Sequence, residues 1–87
     1  MPRIVIADDH PIVRRFVRMA IEEKGWEVCG EAATGPEAVE ITSAQRPDLV
    51  VLDFSMPEMD GLEAARKIFK NFPQIKMIIL KIGRAHV

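Results

Sequence analysis

Three carboxylates stand where the chain passes from an apolar run into a polar loop. Asp8 and Asp9 follow Arg3-Ile4-Val5-Ile6-Ala7, and Asp53 follows Asp48-Leu49-Val50-Val51-Leu52. The second run is β-branched and apolar on both faces, as a central parallel strand covered by helices on both sides must be. The first reads as a short apolar strand. In open α/β sheets ligands bind beyond the carboxyl ends of the strands, so both acidic sites occupy favourable positions. If the two strands are sheet neighbours, the three carboxylates converge on one edge. Like charges a few ångströms apart repel, and a raised pKa or a bound cation relieves them. Hard oxygen ligands suit Mg²⁺, which keeps several waters and takes few protein carboxylates. A carboxylate beside such a metal is a plausible phosphoryl acceptor, because the metal neutralises charge on the transferring group while the aspartate attacks in line. On spacing alone, two unrelated acidic loop caps remain the alternative.

Three helices must alternate with the strands that position these groups. After Asp8-Asp9, Pro11 fits a first helical turn, where its missing N–H costs nothing. Ile12, Val13, Phe16, Val17, Ala20 and Ile21 then recur at helical spacing and predict a buried stripe, with Arg14, Arg15 and Arg18 on a solvated face. Lys24-Gly25 is a helix stop. Trp26 to Glu31 alternates like an edge strand. Thr34 with Glu37 predicts a capping box for a second helix through Ala38, Val39, Ile41 and Ala44, which Arg46-Pro47 ends. Asp60 with Glu63 predicts another cap, and Leu62, Ala65, Ile68, Phe69 and Phe72 form the stripe of a third helix. Pro73 breaks it. Ile75 to Leu80 is a fourth strand, so the order β-α-β-α-β-α-β predicts a mostly parallel sheet with right-handed crossovers.

Composition narrows the function classes. The 87 residues are 48% hydrophobic and 29% charged with a formal net charge of −1, which describes one globular domain. At this length only somewhat more than ~60% of the unfolded surface can be buried. Without a Lys/Arg run, nucleic acid and acidic membrane are not expected as direct partners. No stretch is long enough to span a bilayer and no signal peptide pattern opens the chain, so a cytoplasmic location is expected. Cys29 is the single cysteine, which rules out an internal disulfide and predicts a small buried hydrophobe.

Asp8-Asp9-His10-Pro11, Asp53-Phe54-Ser55-Met56-Pro57 and Met59-Asp60-Gly61-Leu62-Glu63 together resemble the receiver domain of bacterial two-component response regulators. The Asp-x-x-Met-Pro-x-Met-Asp-Gly string is highly specific. His10-Pro11, with Gly30-Glu31-Ala32, Gly35 and Glu37-Ala38, resembles the subgroup whose longer members carry a LuxR-type helix-turn-helix. The resemblance covers Met1 to about Leu80. It implies a flavodoxin-like doubly wound parallel sheet with the first and third strands adjacent. It also implies that Asp53 is the phosphorylated residue, that Asp8, Asp9 and Asp53 hold Mg²⁺ with the backbone carbonyl of Ser55, and that Met56, Pro57 and Gly61 shape the loop. The implied partner is a sensor histidine kinase. The implied catalysis is limited to the domain's own phosphorylation and dephosphorylation.

The chain also departs from that pattern. A receiver places Ser or Thr directly after its fourth strand, where Lys81 stands, and nothing matches its last helix–strand–helix segment with the lysine of the fifth strand. The expectation is a partial receiver domain over residues 1–80, truncated after the fourth strand, with a foreign tail over 81–87 in which His86 is no ligand. Such a chain keeps an acceptor and a metal site but no element to be switched, and its fourth strand becomes an exposed, aggregation-prone edge. His10 is read as a loop or helix-start residue. Two other readings are a small Mg²⁺-dependent phosphohydrolase with Asp53 as nucleophile, and a non-functional fragment. Against the hydrolase, Ser55 stands two residues after Asp53, where an acid/base group is needed.

Overall fold

The computed structural model describes residues 1–80. The readings that fall on Lys81 to Val87, the missing hydroxyl and the foreign tail among them, lie outside the described residues. Seven elements alternate in the expected order: β1 (Arg3–Ala7), α1 (Pro11–Glu23), β2 (Glu27–Ala32), α2 (Gly35–Gln45), β3 (Leu49–Asp53), α3 (Gly61–Asn71) and β4 (Lys76–Leu80). The strands form one parallel sheet in the order β2-β1-β3-β4. β1 and β3 are therefore neighbours, which the convergence of the acids required. Among the described strands β2 and β4 are the edges.

Local chemistry explains where the helices begin and end. Pro11 opens α1, and Gly25, at φ 80°, turns the chain away after it. At α2 the Thr34 hydroxyl accepts from the Glu37 N–H at 3.2 Å. The Glu37 carboxylate accepts in return from the N–H of Ala33 at 2.7 Å, one residue before the expected partner. Arg46 closes α2 in the left-handed region at φ 49°, just before Pro47. The Asp60 carboxylate caps α3 by accepting from the Glu63 N–H at 2.8 Å.

Helices lie on both sheet faces, and the faces differ. Val5, Ala7, Val50 and Leu52 point toward α2 and α3, where Ala38, Ala64, Ala65 and Ile68 meet them. Ile4, Ile6 and Val51 point the other way, toward Ile21 of α1, with Val17, Val28, Leu49 and Leu80 packed partly around them. The strand boundaries shift by one residue from expectation. Asp53 is the last residue of β3, paired with Leu80, rather than the first of the loop. The register of β2 against β1 slips between Ile4/Val28 and Val5/Gly30, so Cys29 is the extra residue of a bulge and is only half-buried.

The helical stripes are narrower than the sequence implied. Ile12 and Phe16, expected in the core, are 66% and 64% exposed. The residues of α1 that meet the sheet are Val17 and Ile21, and Ile12 and Phe16 lie off that line. In α3 the buried line runs through Gly61, Ala64, Ala65 and Ile68, which leaves Leu62 and Phe69 exposed at its side. Arg14 and Arg18 are not a solvated face. Both pair with Glu31 of β2, at 2.9 and 2.6 Å, because the edge strand places that carboxylate beside the helix.

Candidate functional site

Parallel pairing of β1 with β3 brings Ala7 level with Leu52, so the residues that follow each emerge at the same edge. Asp8, Asp9, His10 and Asp53 each bring one ligand atom into a group whose members all lie within 4.8 Å of one another. Asp8 and Asp53 are 3% and 5% exposed, Asp9 is half-buried and His10 is at the surface. Three of the four were expected from the sequence. His10 is the addition, and it does start α1 as expected, occupying the N-cap without a side-chain capping bond.

Each carboxylate is differently satisfied. Asp8 is held on three sides: its N–H donates to the Ala32 carbonyl at 3.0 Å, its carbonyl accepts from Arg14 Nη1 at 2.7 Å, and its Oδ1 accepts from the His10 N–H at 2.8 Å. The imidazole Nδ1 lies 3.1 Å from Asp8 Oδ1 and 3.0 Å from Asp9 Oδ1. Of the two, the contact with Asp8 has hydrogen-bond geometry. Asp9 Oδ1 is left buried without a hydrogen bond. The hydrogen bond to Asp8, followed by the charge of Asp9, raises the His10 pKa above its ordinary 6.5. Burial, then the neighbouring Asp8 charge, raises Asp53 above the usual aspartate value, against a lowering by the backbone N–H of Ser55. The arrangement gathers three carboxylates against one imidazole, and its oxygen ligands suit a divalent cation.

The loop after β3 fixes Asp53 from below. Met56 is buried in the layer under α2 and α3, while Pro57 is exposed and its carbonyl accepts from the Met59 N–H at 2.8 Å. Glu58 takes a positive φ of 69°, an uncommon conformation for a side chain of this kind that nothing in its residue type announces. Gly61 is needed where it stands, because a β-carbon there would collide with the backbone carbonyl of Asp53. Its N–H closes the loop onto the Phe54 carbonyl at 2.8 Å, and the Phe54 N–H donates to Leu80 at 2.8 Å. Ser55 is exposed beside the cluster.

Residues 4–85 match the response regulator receiver domain family. The uncharacterized transcriptional regulatory protein YhcZ of Bacillus subtilis is 48% identical over 79 residues, covering 90% of this chain and 37% of its own length. The chemotaxis protein CheY of Thermotoga maritima is 42% identical over 77 residues, covering 88% of this chain and 64% of its own. The crystal structure of a LuxR-family two-component response regulator from Aurantimonas sp. SI85-9A1 superposes with a TM-score of 0.86 at 39% identity, over 91% of this chain and 57% of that one. The chain thus spans less than two thirds of each of these proteins. Sheet order, acidic edge and sequence agree, and the chain belongs to the response regulator receiver domain family.

Proposed function

We propose that this chain is the phosphoacceptor module of a two-component response regulator, taking a phosphoryl group from a sensor histidine kinase onto Asp53 in a Mg²⁺-dependent reaction. The observation that carries this reading is the buried carboxylate of Asp53 at the end of β3, with Asp8 and Asp9 gathered within one ion's reach of it. Asp9 Oδ1 supports a cation there, since it is buried without a hydrogen bond and has only the exposed His10 ring beside it, at 3.0 Å. The carboxylates of Asp8, Asp9 and Asp53, with the Ser55 carbonyl, would hold the metal. When bound, Mg²⁺ supplies a positive charge to the transferring phosphoryl group and to the acids themselves.

The chain's own residues do the rest. Asp53, as the carboxylate, attacks phosphorus with one oxygen as the bond to the donor imidazole nitrogen breaks, and the imidazole takes up a proton. The pinned turn at Asp8 and the Gly61 contact hold the acids in place, so little reorganisation is needed at the moment of transfer. Met56, Pro57 and Gly61 act by shaping this loop. Residues 1–80 act as a partial receiver in the cytoplasm and 81–87 as a foreign tail, against a family match that runs to residue 85. Among the described residues no helix is long and apolar enough to cross a membrane. The printed names of relatives, transcriptional regulators among them, support a DNA-binding output in a longer parent protein rather than in this near-neutral chain. Incubation with acetyl phosphate and Mg²⁺ tests the acceptor. One hydroxylamine-sensitive phosphoryl group is expected on the wild type and none on Asp53→Asn, and undiminished labelling of that variant would sink the assignment.

A further inference from the structure

Arg14 is the charged side chain of α1 that reaches the acidic edge without belonging to it. Its side chain is 22% exposed and the guanidinium spans two elements: Nη1 donates to the carbonyl of Asp8 at 2.7 Å, and Nε donates to Glu31 on β2 at 2.9 Å. Arg18, one turn later and 37% exposed, shares the other Glu31 oxygen at 2.6 Å and pairs with Glu22 at 2.7 Å, but has no bond to the Asp8 loop. The two arginines belong to one ion-pair network; Arg14 alone adds the Asp8 carbonyl, and Arg18 alone adds Glu22.

That contact completes the fixing of Asp8. Its main-chain N–H is already tied to Ala32 across the sheet at 3.0 Å. With the carbonyl held by Arg14 as well, both peptide groups flanking the Cα are anchored and set the direction of the Cα–Cβ bond, and the His10 N–H then orients the carboxylate at 2.8 Å. A charge-assisted bond to a half-buried carbonyl is among the stronger hydrogen bonds available, and the planar fork of arginine can hold two partners at once.

We propose that Arg14 is a positioning residue for the metal site, orienting Asp8 through its main-chain carbonyl while Glu31 holds the guanidinium in place. This rests on reading the acidic cluster as a Mg²⁺ site. Outer groups that orient metal ligands are worth roughly 10–100-fold in affinity when removed. Arg14→Ala therefore weakens Mg²⁺ binding by about tenfold, whereas Arg18→Ala leaves the affinity at the wild-type value even if it lowers the melting temperature. Arg14→Lys, whose ammonium can reach one partner but not hold both in a fork, falls between.

The experiment is a Mg²⁺ titration of the full 87-residue chain, wild type and variants, followed by the amide resonances of Asp8 and His10 and by the melting temperature. A weaker Mg²⁺ dissociation constant in Arg14→Ala, with that of Arg18→Ala unchanged, supports the proposal. Should Arg14→Ala fail to fold, the same contrast between Arg14→Lys and Arg18→Lys carries it. Equal affinities in the Arg14 and Arg18 variants, with wild type binding Mg²⁺, overturn the positioning role and leave the metal site standing. A wild type that does not respond to Mg²⁺ overturns both.

Discussion

On the sheet face that α2 and α3 cover, Val5, Ala7, Val50 and Leu52 meet Ala38, Ala64, Ala65 and Ile68 in one buried layer; on the face that α1 covers, Ile4, Ile6 and Val51 meet Ile21 as the buried helical partner. The first face is closed by apolar packing. The second is thinner, and charge does part of the joining: Glu31 belongs to it through its pairing with Ile6, and there it takes both Arg14 and Arg18. Beyond α1 the same side shows exposed Ile12, Phe16 and Met19, and Ile78 of β4 pairs with Val51 and is half exposed. By strand alternation Asp53 falls on the Leu49–Val51 side, so its carboxylate stands at the end of the less covered face. The closed layer beneath supports its backbone, while the carboxylate itself remains 5% exposed.

The contrast can be broken most directly in the closed layer. Ile68→Ala removes a side chain that is 1% exposed and should cost about 2–5 kcal/mol of unfolding free energy, read from denaturant melts. A loss well below that range would mean that the layer relaxes around the void and is not the support described. Next in size is the ionic joint of the thin face. Burial raises the Glu31 pKa, but the hydrogen bonds from Arg18 and Arg14 outweigh it and hold it below the ordinary carboxylate value of 4.5. A depressed carboxylate contributes stability that is present above its unfolded pKa and is lost as the pH falls through its folded one. The melting-temperature gap between wild type and Glu31→Gln should therefore stay level near neutrality and shrink in acid. A gap that grows in acid would contradict the ion-pair account. Smallest is Phe16→Ser, expected to change stability by no more than about 0.5 kcal/mol because the ring is already in water. A large loss in a dilute sample would show that Phe16 is buried by something, self-association being the first to check by sedimentation.

Element order, sheet type and the convergence of three acids were legible in the sequence, because apolar runs, caps and turn residues all pointed the same way. Thr34/Glu37 and Asp60/Glu63 named the starts of α2 and α3 from side chains alone. The breadth of the helical stripes was not legible. Spacing says which residues share a side, not how far the neighbouring layer reaches, so Ile12, Phe16, Leu62 and Phe69 were assigned to a core that does not extend to them. Arg14 and Arg18 were misread for a related reason: their partner, Glu31, comes from another element, and one-dimensional charge patterning cannot show it. The bulge at Cys29 was hidden as well, since a one-residue slip leaves the local alternation looking intact. At the site, the place of His10 between Asp8 and Asp9 had one readable signal, its adjacency to the acidic pair. The positive φ of Glu58 had none.

The central claim is that the acids at the ends of β1 and β3 form one cation-dependent acceptor. Intact mass spectrometry of wild type after acetyl phosphate treatment, with Mg²⁺ and with the metal removed by EDTA, tests it in a single comparison. The account predicts one added phosphoryl group with Mg²⁺ and essentially none without it. Equal labelling in the two samples would contradict it, because it would show that Asp8 and Asp9 serve no metal on which the chemistry depends.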